Sequence, residues 1–123
     1  MTHELLELPG DASEAVEALR EASRLQPVLV FKKSPICPVS AAAEQALQGF
    51  LSSRRADDPL QVAVVDVLAE RSLARGLASE LGIRHESPQA LFFADGELQW
   101  HGSHWDLTTE RFASVVDRRE AGG

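Results

Sequence analysis

The segment KKSPICPVS, residues 32–40, contains the only cysteine of the chain, Cys37, directly before a proline. Pro38 suits the first position of a helix, where a missing N–H costs no helical hydrogen bond. A thiol at the start of a helix faces unpaired backbone N–H groups and the positive end of the helix dipole, and both favour the thiolate. The segment therefore predicts a reactive cysteine capable of thiol–disulfide exchange.

Several neighbours of this cysteine are candidates for stabilising its thiolate. The N–H groups of Val39 and Ser40 and the Ser40 hydroxyl can donate hydrogen bonds, and Lys33 or Lys32 can contribute positive charge. A solvated strand end is the alternative for both lysines. A small buried core residue is the alternative for Cys37, but a position between two prolines at a helix start favours reactivity.

The spacing from Cys37 to Ser40 is that of the C-x-x-C motif of dithiol oxidoreductases, with serine in place of the second cysteine. Such a protein can attack a disulfide, but it cannot resolve the mixed disulfide with a thiol of its own motif. The resolving thiol must come from another molecule.

The elements that position this segment follow from hydrophobic periodicity and turn residues. The pattern predicts helices over 11–24, 37–51 and 68–81, strands over 27–31, 60–67, 89–93 and 97–100, a last helix capped within 106–109, and a frayed tail over 118–123. This order predicts an α/β fold with a central four-stranded mixed sheet flanked by helices. It is the element order of a thioredoxin-like domain with an extra N-terminal helix.

Composition narrows the class of protein. A length of 123 residues predicts one domain over 1–123, and a net charge of −7 makes nucleic acid a poor partner. A single cysteine cannot form an internal disulfide, which fits a reducing cytoplasm. The sequence contains no membrane span or signal peptide pattern, and we expect no membrane association, no metal site and no tightly bound cofactor.

Three segments carry a resemblance to the bacillithiol-system redox protein family, the YtxJ-like monothiol bacilliredoxins of the thioredoxin-like superfamily. They are Cys-Pro-Val-Ser at 37–40, Glu-Ser-Pro-Gln-Ala at 86–90, and Trp-His-Gly-Ser-His-Trp-Asp-Leu-Thr at 100–108. The resemblance extends from about residue 25 to 116. Ile36 departs from the family, whose members typically have Thr or Arg before the cysteine.

The resemblance implies an enzyme that removes bacillithiol from S-bacillithiolated proteins through a mixed disulfide on Cys37. Bacillithiol would be a co-substrate rather than a bound cofactor, and the partners would be S-bacillithiolated client proteins and a recycling reductase. Pro88 would be a cis-proline facing the thiol, and the Ser87 backbone would pair with the substrate chain.

The resemblance also implies that the segment after the last strand binds the low-molecular-weight thiol. Its residues are Gly102, Ser103, His104, Trp105 and Asp106. Backbone N–H groups at a helix start suit the malate carboxylate of bacillithiol, and Trp105 or His104 can pack against its glucosamine ring. A helix cap is the alternative for Asp106.

Three other functions fit parts of the sequence. A glutaredoxin-like iron–sulfur or thiol-binding protein is one, although Pro38 stiffens the turn where monothiol glutaredoxins have glycine. A cysteine hydrolase with a Cys–His pair is another, although no histidine lies in a nucleophile signature. A non-catalytic thioredoxin-fold adaptor is the third.

Overall fold

The computed structural model describes residues 4–54 and 58–122, with side chains as far as Asp117. The strands are β1 (Glu4–Leu5), β2 (Val28–Lys33), β3 (Gln61–Asp66), β4 (Gln89–Ala94) and β5 (Glu97–Ser103); the helices are α1 (Ala12–Ser23), α2 (Pro38–Ser53), α3 (Arg71–Leu81) and α4 (Thr109–Gly122), with a short 3₁₀ helix over His104–Asp106.

The strands form one mixed sheet in the order β1-β3-β2-β4-β5. β1 and β2 run parallel to β3, whereas β4 is antiparallel to both β2 and β5. The α/β class and the mixed sheet flanked by helices are confirmed. The prediction of four strands is wrong by one edge strand, because β1 is two residues long and too short to show a period of its own.

Alternate residues of the central strands face two apolar cores, one on each side of the sheet. Leu29 and Phe31 of β2 face α2 and α4, whereas Val28 and Val30 face α1 and α3. Lys32 continues the second series and is fully buried. The interpretation of Lys32 as part of a solvated strand end is therefore wrong.

Strand β3 is only partly covered. Val62, Ala63 and Val65 are buried, but Val64 is 45% exposed. β1 pairs only with Gln61 and Val62, so it leaves the following part of β3 uncovered along that edge.

Local hydrogen bonds explain where the helices begin and end. Asp11 caps α1 by accepting the Glu14 N–H at 3.0 Å, and Gly82 ends α3 in the left-handed conformation, as predicted. α3 begins later than the predicted residue 68, because the Asp66 carboxylate accepts the N–H groups of Leu68 and Ala69 and holds them in a turn.

Two boundaries of the C-terminal third differ from prediction, whereas the cap of α4 agrees with it. β5 continues to Ser103 instead of ending at Trp100. The cap of α4 is the Thr108 hydroxyl, within the predicted range 106–109, and it accepts the Arg111 N–H at 3.0 Å. α4 extends to Gly122 and so enters the range 118–123 predicted as a tail; Gly123 and the side chains from 118 onward lie outside the described part. Among the described residues, no helix has the length and apolar character needed to cross a membrane.

Candidate functional site

Cys37 lies at the junction between β2 and α2, as the sequence predicts. β2 ends at Lys33, and Cys37 is the N-cap of α2, with extended backbone angles of φ −104° and ψ 122°. Cys37 is half-buried, and the preceding Ile36 is 79% exposed. Cys37 is therefore partly exposed at the surface of the molecule, beside an apolar side chain.

The sulfur makes no capping hydrogen bond to the first N–H groups of α2 in the described structure. The predicted donation from Val39 and Ser40 to the sulfur is thus not formed here. The Ser40 hydroxyl is buried and accepts the Ser34 N–H at 2.9 Å. Ser40 therefore ties the start of α2 to the end of β2, which fixes the loop that carries Cys37.

The two lysines have different surroundings. Nζ of Lys33 lies 3.4 Å from Oε2 of Glu44 on α2, so its ammonium group pairs with this carboxylate. Lys32 is buried and donates from Nζ to Oε1 of Gln89 at 2.6 Å. Burial lowers the pKa of Lys32 from 10.5 to about 8, partly opposed by the charge of Glu86.

The loop before β4 lies at the same edge of the sheet as Cys37. The Ser87–Pro88 peptide bond is cis, as the resemblance implies. Gln89, the next residue, pairs with Lys32 in the register of β2 and β4, so Pro88 lies level with the end of the strand that leads to Cys37. The Ser87 hydroxyl is buried and makes no hydrogen bond within the described structure.

The predicted thiol-binding segment connects directly to this loop. The His104 N–H donates to the Pro88 carbonyl at 3.1 Å, and the Ser103 hydroxyl donates to the Glu86 carboxylate in a short hydrogen bond. His104 has a positive φ of 53°, which turns the chain out of β5 into the 3₁₀ helix. Trp105 is 74% exposed there.

Comparison with known proteins identifies the family. Residues 11–112 match the family described as monothiol bacilliredoxin BrxC. The chain belongs to the monothiol bacilliredoxin family. Its motif Cys37-Pro38-Val39-Ser40 thus stands in a family named for a single active thiol, and its thiol redox role follows from that membership together with its structural neighbours.

Solved structures confirm the thioredoxin fold of this bacilliredoxin-family chain. A protein with a thioredoxin fold that is proposed to be an oxidoreductase is 29% identical, with a TM-score of 0.69 and 93% of each chain covered. Oxidised thioredoxin O2 from Arabidopsis thaliana is 16% identical, with a TM-score of 0.66 over 95% of this chain and 93% of that one. Desulfothioredoxin from Desulfovibrio vulgaris Hildenborough is 22% identical, with a TM-score of 0.62 over 92% and 96%.

Packing accounts for two residues of the segment 100–106. A Cβ at Gly102 would lie 2.5 Å from the Trp100 ring, so the absent side chain leaves room for the indole. Trp100 packs against the core on the α2 and α4 face, as expected for a hairpin strand. Asp106 is not the cap of α4, since Thr108 has that place.

Sequence reasoning assigned no role to Gln89 or Glu86, although both contact predicted site residues or their neighbours. One signal was available for Lys32: strand alternation places it on the same face as Val28 and Val30. Within residues 4–54 and 58–122, no group of three His, Cys, Asp or Glu side chains is placed to hold a metal ion.

Proposed function

We propose that this bacilliredoxin-family chain is a monothiol oxidoreductase that removes bacillithiol from S-bacillithiolated proteins. The observation that carries the proposal is the accessible Cys37 at the start of α2, combined with a buried serine where dithiol enzymes have their second cysteine. Membership of the monothiol bacilliredoxin family supports bacillithiol as the small thiol.

The proposed reaction is a two-step exchange of thiols and disulfides. The Cys37 thiolate attacks the bacillithiol sulfur of the client's mixed disulfide, which forms a Cys37–bacillithiol disulfide. The client sulfur leaves with the electron pair of the broken bond, and solvent protonates it to a thiol. A second bacillithiol, as thiolate, then attacks the bacillithiol sulfur bound to Cys37, which regenerates the Cys37 thiolate and yields bacillithiol disulfide for a reductase.

The fixed position of Ser40 supports the need for an external second thiol. Residue 40 is a serine and has no thiol. Its hydroxyl accepts the Ser34 N–H, which holds the side chain inside the protein. The mixed disulfide on Cys37 therefore persists until another thiol reaches it.

We assign the loop ending in Ser87 and Pro88 to the client chain and the segment 102–106 to bacillithiol. The hydrogen bond from the His104 N–H to the Pro88 carbonyl supports this assignment, because it places the loop and the segment next to each other. Exposed Trp105 and His104 offer flat side chains for the glucosamine ring. Gly102 and Ser103 would shape the bacillithiol site indirectly, Gly102 by leaving room for the Trp100 ring and Ser103 by its hydrogen bond to Glu86. Asp106 is exposed beside Trp105. The proposed location is the cytoplasm, where low-molecular-weight thiols keep Cys37 reduced.

A transfer assay tests the function. A bacillithiolated client protein is mixed with equal amounts of wild type or Cys37→Ala, and intact-mass spectrometry follows both proteins. We expect the client to lose bacillithiol and wild type to gain it, with no change for Cys37→Ala. Ser52→Ala is a matched control, because it replaces an exposed serine near the far end of α2 and keeps the thiol, and it should still accept bacillithiol.

The same client carrying glutathione tests the choice of small thiol. Preference for the bacillithiolated form supports the proposal, whereas equal transfer from both forms would assign a general thiol-transfer activity instead. If wild type accepts no bacillithiol while iodoacetamide still alkylates Cys37, the proposed function is wrong.

A further inference from the structure

Lys32 is a buried cation with no place in the exchange reaction described above. It is 0% exposed, and its strand is the one that leads to Cys37. A buried ammonium group is costly unless it is paired and hydrogen-bonded. A methionine of similar shape would avoid that cost, so the contacts of Lys32 indicate what the charge does.

Its contact with Gln89 links two strands at the edge of the sheet that carries the site. Nζ of Lys32 donates to Oε1 of Gln89 at 2.6 Å, and the same amide donates from Nε2 to the Arg84 carbonyl at 2.9 Å. Oε1 is an acceptor and Nε2 a donor, so the two bonds also define the orientation of the amide. Lys32, Gln89 and Arg84 thus form a continuous chain of hydrogen bonds.

This chain of bonds closes the base of the loop 84–88. The Gln89 side chain reaches back five residues to Arg84, and the enclosed loop carries Ser87 and cis-Pro88. The loop has two further attachments, the Ser103 hydroxyl on Glu86 and the His104 N–H on the Pro88 carbonyl. The Lys32 attachment differs from these because it comes from the strand that ends at the Cys37 junction.

Charges around Lys32 agree with this arrangement. Glu86, on the loop itself, attracts the ammonium group and opposes the effect of burial. His85 on the same loop has its pKa lowered by burial and then by Lys32 and Arg75, so a neutral imidazole is favoured beside these two cations. The loop therefore presents an anion and a neutral ring to Lys32.

We propose that Lys32 is a positioning residue, which acts through the Gln89 amide to hold the Ser87–Pro88 loop in register with Cys37 for the client chain. This inference rests on the proposed function. Because the loop would bind the client before and during exchange, loss of the bond should mainly weaken client binding, which raises KM and leaves kcat nearly unchanged.

The test uses Lys32→Met and Gln89→Leu. Each removes one partner of the Lys32–Gln89 hydrogen bond and replaces it with an apolar side chain of similar size. Arg54→Met is the matched control for a buried cation, because Arg54 lies at the far end of α2. Gln61→Leu is the matched control for a strand glutamine, since its amide bonds the Ala22 and Gln26 carbonyls at the opposite end of the sheet.

Three readouts are measured at a temperature where circular dichroism shows each variant folded. They are KM and kcat for bacillithiol transfer from a protein client, and the rate of Cys37 alkylation by iodoacetamide. We expect a rise in KM of about tenfold for Lys32→Met and Gln89→Leu. We expect kcat and the alkylation rate to stay within about twofold, since the Ser34–Ser40 bond that fixes the thiol is intact. Both controls should keep the wild-type KM.

The outcomes separate this inference from the function on which it rests. If wild type transfers bacillithiol and both site variants keep its KM, the positioning role is wrong while the function stands. An equal rise in KM for the controls would also overturn it, because general destabilisation would then be the cause. If Lys32→Met does not fold, the KM of Gln89→Leu compared with that of Gln61→Leu tests the positioning role. If wild type itself transfers nothing, the proposed function fails and this inference falls with it.

Discussion

The buried Lys32 should make the protein more stable as the pH rises from 7 to 10. The pKa of Lys32 is about 8 in the folded chain because of burial, against an ordinary value of 10.5 that the unfolded chain retains. Between these two values the folded state has released the proton and the unfolded state still binds it. The unfolded state therefore holds more protons, so the free energy of unfolding increases with pH across this window.

The size of the effect follows from the two pKa values. Taking 10.5 and about 8, linkage gives a rise in the free energy of unfolding of about 1.4 kcal/mol from pH 7 to pH 9 and about 2.5 kcal/mol by pH 10. This is a large part of the total stability of a small domain, which is roughly 5–15 kcal/mol. The rise should be absent in Lys32→Met.

Urea denaturation followed by far-UV circular dichroism measures this at pH 7, 9 and 10 in buffers of equal ionic strength. All variants carry Cys37→Ser, which removes the thiol as a titrating group, and the chain has no tyrosine. Lys33→Met is the matched control: it removes the neighbouring lysine, whose side chain is 31% exposed and paired with Glu44, and it should keep the rise.

The comparison between variants decides the result. If the parent and Lys32→Met show parallel stability curves to within about 0.5 kcal/mol over this pH range, Lys32 does not titrate there and the reasoning from burial is refuted. The same conclusion follows if Lys33→Met, rather than Lys32→Met, abolishes the rise.

Three further predictions concern local contacts. Ser40→Cys should replace the lasting bacillithiol adduct with an internal disulfide to Cys37, and an adduct that persists in the intact mass would contradict this. Thr108→Ala should lower the free energy of unfolding by about 1 kcal/mol through loss of the α4 cap; urea denaturation measures the change, Thr108→Ser should retain the cap, and equal stability of all three proteins would disprove its importance. Gly102→Ala should cost roughly 1–3 kcal/mol because its Cβ would lie 2.5 Å from the Trp100 ring. Adding Trp100→Leu should recover part of that loss, and no recovery would show that the indole is not the cause.

Most of the fold could be predicted because it depends on local signals. Asp11 marks the start of α1, Gly82 the end of α3, and the turn at Asp95–Gly96 has positive φ at both residues, as a two-residue hairpin requires. Periodicity places the other central elements to within a few residues. Strand β1 could not be predicted from local signals, because its two residues form a strand only by pairing with β3.

The candidate site divides in the same way. Pro38 indicates that a helix starts directly after Cys37, because proline prefers the first helical position. The surroundings of the two lysines do not follow from the segment in which they lie. Lys33 pairs with Glu44 on the following helix, α2, whereas Lys32 donates to Gln89 on the neighbouring strand, 57 residues further along the chain.

The sequence alone therefore determined the place of the thiol at a helix start, the lack of a second thiol in its motif and the order of the elements around it, since each depends on neighbours in the chain. Only the tertiary structure decided which of two adjacent lysines is buried, what the Ser40 hydroxyl bonds, and how the 84–88 loop is attached to β2 and β5. The physical reason is that a strand turns successive side chains to opposite faces. What each face meets is set by packing between elements distant in sequence, and Lys32 and Lys33 differ for that reason.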